Sequence, residues 1–183
     1  PDAVFLSLVS TVISMVLAVT FGTPLAYVLA RRHFPLKRLV NTLVELPIVL
    51  PPAVAGLALL ITFGRQGLLG PMLGEMGIRI PFTLSAVVLA QTFVAAPFYI
   101  RSAQVSLLSV PCEVEDAARV DGAGGLNLFM WVTLPLAGRA MAAGLVLSWA
   151  RALGEFGATI LFAGSLQGRT QTMPLLIYNI IER

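Results

Sequence analysis

The chain is poor in cysteine, histidine and charge, and each scarcity excludes a class of protein. Its 183 residues include one cysteine, Cys112, and one histidine, His33. A disulfide framework needs paired cysteines and a zinc site needs several Cys or His ligands, so we expect neither, and no metal site. Charged residues make up 11% of the chain, against about 25% in ordinary soluble domains. No nucleic-acid partner is expected.

Long hydrophobic runs take the place of the missing charge. Hydrophobic residues make up 57% of the chain, and the mean hydropathy is +0.89. Several runs are long enough to cross a bilayer as helices. The sequence therefore predicts an all-α, polytopic transmembrane helical bundle in one domain over 1–183. Its spans are expected at about 4–30, 42–63, 82–101 and 138–163.

The placement of positive charge predicts the orientation. Four Lys or Arg residues fall between Arg31 and Arg38, and such clusters favour the cytoplasmic side of a membrane. The N-terminus is then outside, as are the loop 64–81 and an amphipathic helix at about 172–182. Residues 109–135 are then cytoplasmic. We expect a multi-pass protein of the inner (cytoplasmic) membrane, with a mature first span rather than a signal peptide and with both ends trimmed.

Proline predicts a break in the second span. Pro47, Pro51 and Pro52 cannot donate backbone hydrogen bonds, so the helix is expected to break near its cytoplasmic end. Broken backbone inside a membrane must pack against protein or face a cavity.

The polar segment 109–135 interrupts the hydrophobic pattern. Ser109 is predicted to cap a helix whose first turn holds Pro111. Acidic residues gather near that end, where the helix macrodipole favours negative charge: Glu113, Glu115 and Asp116. A polar segment between spans is typical of a docking surface for a partner outside the membrane.

The same helix is predicted to have one shallow face. Helical spacing puts four residues on it: Val114, Ala117, Ala118 and Asp121. The alanine pair would let another protein approach closely, and Gly122 would end the helix. An ordinary interspan loop remains open as an alternative on these grounds alone.

Two opposite charges lie inside the fourth predicted span. Arg151 and Glu155 are one helical turn apart, and ionised groups there must pair or face water. Two interpretations stay open: a salt bridge that locks helices, or a translocation path that includes Thr159. No catalytic residue is predicted, because the sequence has neither a P-loop nor a His-Glu-x-x-His motif.

The polar segment resembles the cytoplasmic signature of permease subunits of ATP-binding-cassette (ABC) importers. That signature is Glu-Ala-Ala, three residues, Gly, nine residues, then Ile-x-Leu-Pro. Asp116-Ala117-Ala118, Gly122 and Val132 to Pro135 match this spacing, with Asp116 in place of Glu and Val132 in place of Ile. Glu115, just before the motif, is expected to supply the longer carboxylate.

The resemblance implies a type I ABC-importer permease fold with a cytoplasmic coupling helix. Such a helix docks on an ATP-hydrolysing subunit. The residues expected to take part are Glu113, Glu115, Asp116, Ala117, Ala118, Asp121, Gly122, Leu134 and Pro135. Two copies of that ATP-binding subunit are implied, and ATP and Mg would bind there, so this chain itself binds no cofactor.

Two later stretches resemble permeases for tetrahedral oxyanions. These stretches are residues 150–159 and 168–175, and their Phe-Gly-Ala-Thr and Gly-Arg-Thr-Gln-Thr-Met-Pro-Leu sequences are most similar to molybdate/tungstate members. A sulfate/thiosulfate permease is the nearest alternative, and an ion-coupled secondary transporter is an alternative of another class. The implied partners are an external or periplasmic oxyanion-binding protein, a second copy of the chain and membrane lipid. The resemblance implies one further C-terminal span, which we expect to be missing from this chain.

Overall fold

The computed structural model describes residues 2–182, and every regular element within them is helical. The α-helices are α1 (Asp2–Arg31), α2 (Lys37–Val49), α3 (Pro52–Phe63), α4 (Gly70–Glu75), α5 (Leu84–Leu108), α6 (Cys112–Val120), α7 (Gly125–Leu128), α8 (Leu134–Leu153), α9 (Gly157–Phe162) and α10 (Met173–Ile181). A π-helical turn, Phe129–Thr133, joins α7 to α8. The predicted all-α class is therefore confirmed for the described residues.

α1 and α5 form the centre of the bundle and run in the same direction. The Ser14 hydroxyl donates to the Val88 carbonyl at 3.2 Å, and further along both helices the Thr23 and Tyr99 hydroxyls lie 2.7 Å apart. Small buried residues recur along α1 and let the two backbones approach: Ser7, Ser10, Ser14, Ala18, Gly22 and Ala26. Close packing of small residues thus replaces the larger core side chains of a soluble bundle.

α8 packs against α5 in the opposite direction. The Ser148 hydroxyl donates to the Ala95 carbonyl at 2.7 Å, while Gly144, earlier in α8, lies against Ser102, later in α5. A Cβ added at Gly144 would overlap the Ser102 hydroxyl. The beginning of α8 therefore lies at the same end of the bundle as the ends of α1 and α5.

The helices long and apolar enough to cross a membrane are α1, α5 and the segment Gly125–Leu153. The pair α2 and α3 passes the same test only as a broken span, bent by 115°. The predicted second span, 42–63, is therefore two helices that meet at the predicted proline break. Pro51 and Pro52 supply the reason, because two successive residues lack an N–H and Leu50 takes an extended conformation (ψ 133°).

The fourth predicted span, 138–163, also differs from the structure. The helical segment begins earlier, at Gly125, because a π-helical turn carries the helix past Pro135. It ends at Leu153, and the short helix α9 follows after Gly154–Phe156. The predicted polar segment 109–135 is therefore partly helix that leads directly into α8.

Short helices occupy the predicted external regions. α4 lies within the loop 64–81, and α10 lies within the predicted amphipathic helix 172–182. The rings of Tyr178 and Phe156 have centroids 5.0 Å apart, which attaches α10 to the break between α8 and α9. A hydrogen bond and the charge of Glu182 raise the pKa of Tyr178.

Candidate functional site

The polar segment folds as the nine-residue helix α6, which begins later than predicted. Ser109 does not cap it: this residue ends α5 in a helical conformation (ψ −13°), and its hydroxyl donates to the Ser106 carbonyl at 2.7 Å. An N-cap needs extended backbone, and Pro111 provides it (ψ 134°). α6 therefore starts at Cys112, directly after the proline.

Gly122 ends α6 in a left-handed conformation with φ +91°. Its N–H donates to the Arg119 carbonyl at 3.0 Å, and the Ala123 N–H donates to the Ala118 carbonyl at 2.9 Å. These two bonds form a Schellman motif, which satisfies the last carbonyls of a helix. An added Cβ would meet nothing within 4 Å, so the backbone angle rather than space requires glycine here.

One side of α6 is open to solvent. We call the following exposed residues the α6 surface: Glu113, Val114, Asp116, Ala117, Val120 and Asp121. Val114 is 42% exposed and Val120 is 88% exposed, whereas Ala118 is half-buried. Asp116 pairs with Arg119 on the outside of the helix. Apolar and acidic groups thus alternate on a free surface that two spanning helices hold at the end of the bundle.

Glu115 lies apart from the α6 surface, on the buried side of the helix. It is 2% exposed, and its Oε1 accepts hydrogen bonds from Arg31 Nη2 at 2.9 Å and from the Thr133 hydroxyl at 2.8 Å. A buried carboxylate is tolerated when it is paired and hydrogen-bonded in this way. We call these three residues the Arg31–Glu115–Thr133 cluster.

The Arg31–Glu115–Thr133 cluster joins three elements. Arg31 is the last residue of α1, Glu115 lies in the middle of α6, and Thr133 is the last residue of the π-helical turn. Arg31 Nη2 also donates to the Val110 carbonyl at 3.0 Å, just before α6 begins. The sequence placed Arg31 only in a positive cluster, and Thr133 occupies the unspecified position of the motif. No sequence signal joins them, because these contacts span distant segments.

The π-helical turn explains why proline is tolerated at the end of the motif. Pro135 lacks an N–H, and its ring would crowd the carbonyl four residues earlier in a regular helix. The helix widens just before it, so the Leu134 N–H reaches the Phe129 carbonyl five residues back. Leu134 and Pro135 are the first two residues of α8 and therefore do not lie on α6. Leu134 is half-buried against the core, and Pro135 is exposed.

The predicted intramembrane pair forms, but not inside one continuous helix. Arg151 Nη1 donates to Glu155 Oε2 at 2.6 Å, with Arg151 in the last turn of α8 and Glu155 in the break before α9. The other oxygen of Glu155 accepts the Ala158 N–H at 2.8 Å, in the first turn of α9. The Thr159 hydroxyl, also in α9, is buried without a hydrogen-bond partner in the described residues.

Comparison with known proteins identifies the family. A family described as binding-protein-dependent transport system inner membrane component matches residues 22–183. The chain belongs to this family. The resemblance drawn from the α6 signature is thereby confirmed, and the bundle is a type I ABC permease fold. The chain is a multi-pass membrane protein, and its family comprises transport permeases rather than enzymes.

Individual relatives cover nearly the whole chain. A probable transport system permease protein, NifC of Clostridium pasteurianum, is 41% identical over 180 residues, which are 98% of this chain and 63% of the relative. The molybdenum transport system permease protein ModB of Mycobacterium tuberculosis is 47% identical over 176 residues, 96% of this chain and 67% of the relative. The sulfate transport system permease protein CysW of Synechococcus elongatus is 42% identical over 176 residues, 96% of this chain and 62% of the relative. The chain thus spans about two thirds of the length of these relatives.

Proposed function

We propose that this chain forms part of the membrane path of an ATP-driven importer for a tetrahedral oxyanion. α6 acts as its coupling helix, on which an ATP-hydrolysing subunit docks. The observation that carries the proposal is the contrast on α6 between its exposed and buried sides. Ala117 and Val120 are free for a partner, whereas Glu115 is tied to two spanning helices.

The Arg31–Glu115–Thr133 cluster supports a mechanical role for α6. A partner that pulls on α6 displaces Glu115, and its hydrogen bonds draw the end of α1 and the beginning of α8 along. The edge-to-face contact of Tyr27 with Phe129, at 5.1 Å between ring centroids, adds a second link between α1 and the π-helical turn. Movement of the ATP-hydrolysing subunits would in this way open the path alternately to each side of the membrane.

Molybdate or tungstate is the proposed substrate. The names of relatives at 47% and 40% identity include molybdenum. The names of relatives at 42% and 36% identity include sulfate transport, so sulfate or thiosulfate is the nearest alternative substrate. Stimulation of ATP hydrolysis by molybdate and by sulfate, each with the cognate binding protein, separates the two substrates.

The proposed assembly contains two copies of this permease and two ATP-binding subunits. ATP and Mg bind to the latter, and an oxyanion-binding protein on the outer face delivers the substrate. The N-terminus and the α4 and α10 regions face that side, while α6 faces the cytoplasm. The shared direction of α1 and α5, with α6 following the end of α5, supports this arrangement.

Arg151 and Glu155 are proposed to hold the junction of α8 and α9 in register. The Glu155 side chain is 1% exposed and Arg151 is 28% exposed, so only the arginine reaches towards open space. Thr159 is buried beside this junction. A role of the three residues in lining the path stays a prediction, tested by transport after both charges are neutralised.

An ion-coupled secondary transporter is the rival of another class, and it needs no ATP-binding subunit. The two proposals differ for Gly122→Arg, which places a large side chain at the end of α6. The importer proposal expects loss of transport, while the rival expects transport to continue.

Thr133→Val tests the role of the Arg31–Glu115–Thr133 cluster, because it removes one hydrogen bond of that cluster. It should lower the number of anions transported per ATP hydrolysed, and Thr133→Ser should restore that number.

A further inference from the structure

A basic cleft lies between the end of α1 and the beginning of α2. Its volume is about 470 Å³, and it is lined by His33, Phe34, Pro35, Lys37, Arg38 and Asn41. Arg32 is exposed next to it. This cleft is separate from the α6 surface and from the Arg151–Glu155 pair.

The cations of this cleft lack acidic partners. Arg31 is occupied by Glu115, and the carboxylate of Glu45, further along α2, lies 3.5 Å from Arg101. Within residues 2–182, no carboxylate lies within 4.0 Å of the side-chain nitrogens of Arg32, Lys37 or Arg38. The Asn41 side chain accepts a hydrogen bond from Gln104 at 3.4 Å. Three positive charges therefore face solvent around one concave site.

An exposed row of leucines continues from the cleft along α2. Leu36 is 60% exposed, Leu39 53%, Leu43 57% and Leu46 43%. Their spacing of three and four residues places them on one side of the helix. An inorganic anion has no apolar part that could contact these leucines, whereas the acyl chain of a lipid can pack along them. The cleft and the row together match an amphiphilic ligand with a negative head.

The length of α1 indicates that the cleft reaches the level of the lipid headgroups. α1 has 30 residues and is about 45 Å long, which exceeds a hydrocarbon core of about 30 Å. Its last residue, Arg31, and the cleft that follows therefore reach the polar boundary of the membrane. Basic clefts between helices at this boundary favour anionic lipid headgroups.

We propose that this cleft binds an anionic phospholipid. The phosphodiester of its headgroup pairs with Arg32, Lys37 and Arg38, and one acyl chain lies along the leucine row of α2. The bound lipid then covers the apolar side of α2 and holds this helix against the membrane surface. The site goes beyond the proposed transport function, because it involves neither the substrate nor the ATP-binding subunit.

Native mass spectrometry of the full-length permease in detergent, titrated with phosphatidylglycerol or phosphatidylcholine, tests the proposal. Arg32→Gln/Lys37→Gln/Arg38→Gln removes the three cations, and Arg65→Gln/Arg79→Gln/Arg169→Gln removes the same charge at the other end of the bundle. Each interfacial cation contributes roughly fivefold to the affinity for an anionic lipid, so the first variant should lose on the order of a hundredfold for phosphatidylglycerol. The control variant should match the parent protein.

Further arms separate the other possible occupants. Inorganic phosphate in excess should leave phosphatidylglycerol bound, and Leu39→Ser/Leu43→Ser should weaken binding with the three cations intact. Equal affinity of the parent for both lipids, or an equal loss in both triple variants, overturns the proposal. Displacement by inorganic phosphate overturns it in favour of a free-anion site. If the Arg32→Gln/Lys37→Gln/Arg38→Gln variant keeps its affinity for phosphatidylglycerol but no longer binds the ATP-binding subunit, the proposal is overturned in favour of a protein partner.

Discussion

The Thr133 hydroxyl donates a 2.8 Å hydrogen bond to the buried carboxylate of Glu115, which links the entrance of α8 to the middle of α6. Arg31, at the end of α1, meets the same carboxylate oxygen at 2.9 Å. One carboxylate therefore holds two spanning helices and the short helix α6 together. This arrangement makes α6 part of the bundle rather than a loose loop.

Glu115→Gln is expected to destabilise the permease far more than Asp116→Asn, although the two acids are adjacent. Glutamine leaves the Arg31 guanidinium without its charge partner, and breaking a buried pair costs about 3–5 kcal/mol. Asp116 is 66% exposed, and among residues 2–182 it pairs only with the exposed Arg119, so its loss should change the unfolding free energy by less than about 1 kcal/mol. Chemical denaturation in detergent measures both, and equal losses would contradict the buried cluster.

Gly122→Ala is expected to lower the free energy of unfolding by about 1–2 kcal/mol, because a residue with a side chain disfavours the φ of +91° found here. Gly125→Ala is the matched control, since Gly125 begins α7 without a positive φ and an added Cβ there also meets nothing within 4 Å. The midpoints of thermal unfolding of the two variants test this prediction. If both variants have the same midpoint as the parent, Gly122 does not end α6 in a left-handed conformation.

Gly144→Ala should lower the stability of the protein and Gly138→Ala should raise it, although both residues lie in α8. A Cβ at Gly144 meets the Ser102 side chain, and overpacking of this kind costs about 1–3 kcal/mol. Gly138 has free space, and replacing a helical glycine by alanine there gains about 0.5–1 kcal/mol. Unfolding midpoints measured side by side test the contact of α5 with α8. A Gly144→Ala variant as stable as Gly138→Ala would show that the helices do not approach this closely.

Arg151 and Glu155 should behave as a coupled pair. Glu155→Gln leaves Arg151 without its partner, so it is expected to be more harmful than Arg151→Met/Glu155→Gln, which removes both charges. A double-mutant cycle on stability should give a coupling free energy of about 0.5–3 kcal/mol. Transport that persists in the double variant supports a structural role, whereas additive losses together with abolished transport would assign the pair to the path.

Local sequence rules predicted much of this protein, and contacts between distant segments account for the rest. Hydrophobic runs gave the all-helical class, prolines gave the break in the second span, and the motif gave Gly122 at the end of α6. Helical spacing placed Ala117 on the open side of α6, but it does not reveal that Glu115 contacts Arg31, because the two residues are far apart in the chain. The start of the last spanning segment was placed too late, because a π-helical turn carries the helix past Pro135.

Binding of the ATP-binding subunit to the α6 surface is the most direct test of the proposed function. The full-length permease is purified with Ala117→Arg, on the α6 surface, or with Gly74→Arg, on α4 at the other end of the bundle, where an added Cβ also has free space. The cognate ATP-binding subunit is then titrated against each variant. We expect Ala117→Arg to lower its affinity at least about tenfold, because a large cation at a small apolar contact blocks close approach, and Gly74→Arg to match the parent. Equal affinity of both variants would contradict docking on α6.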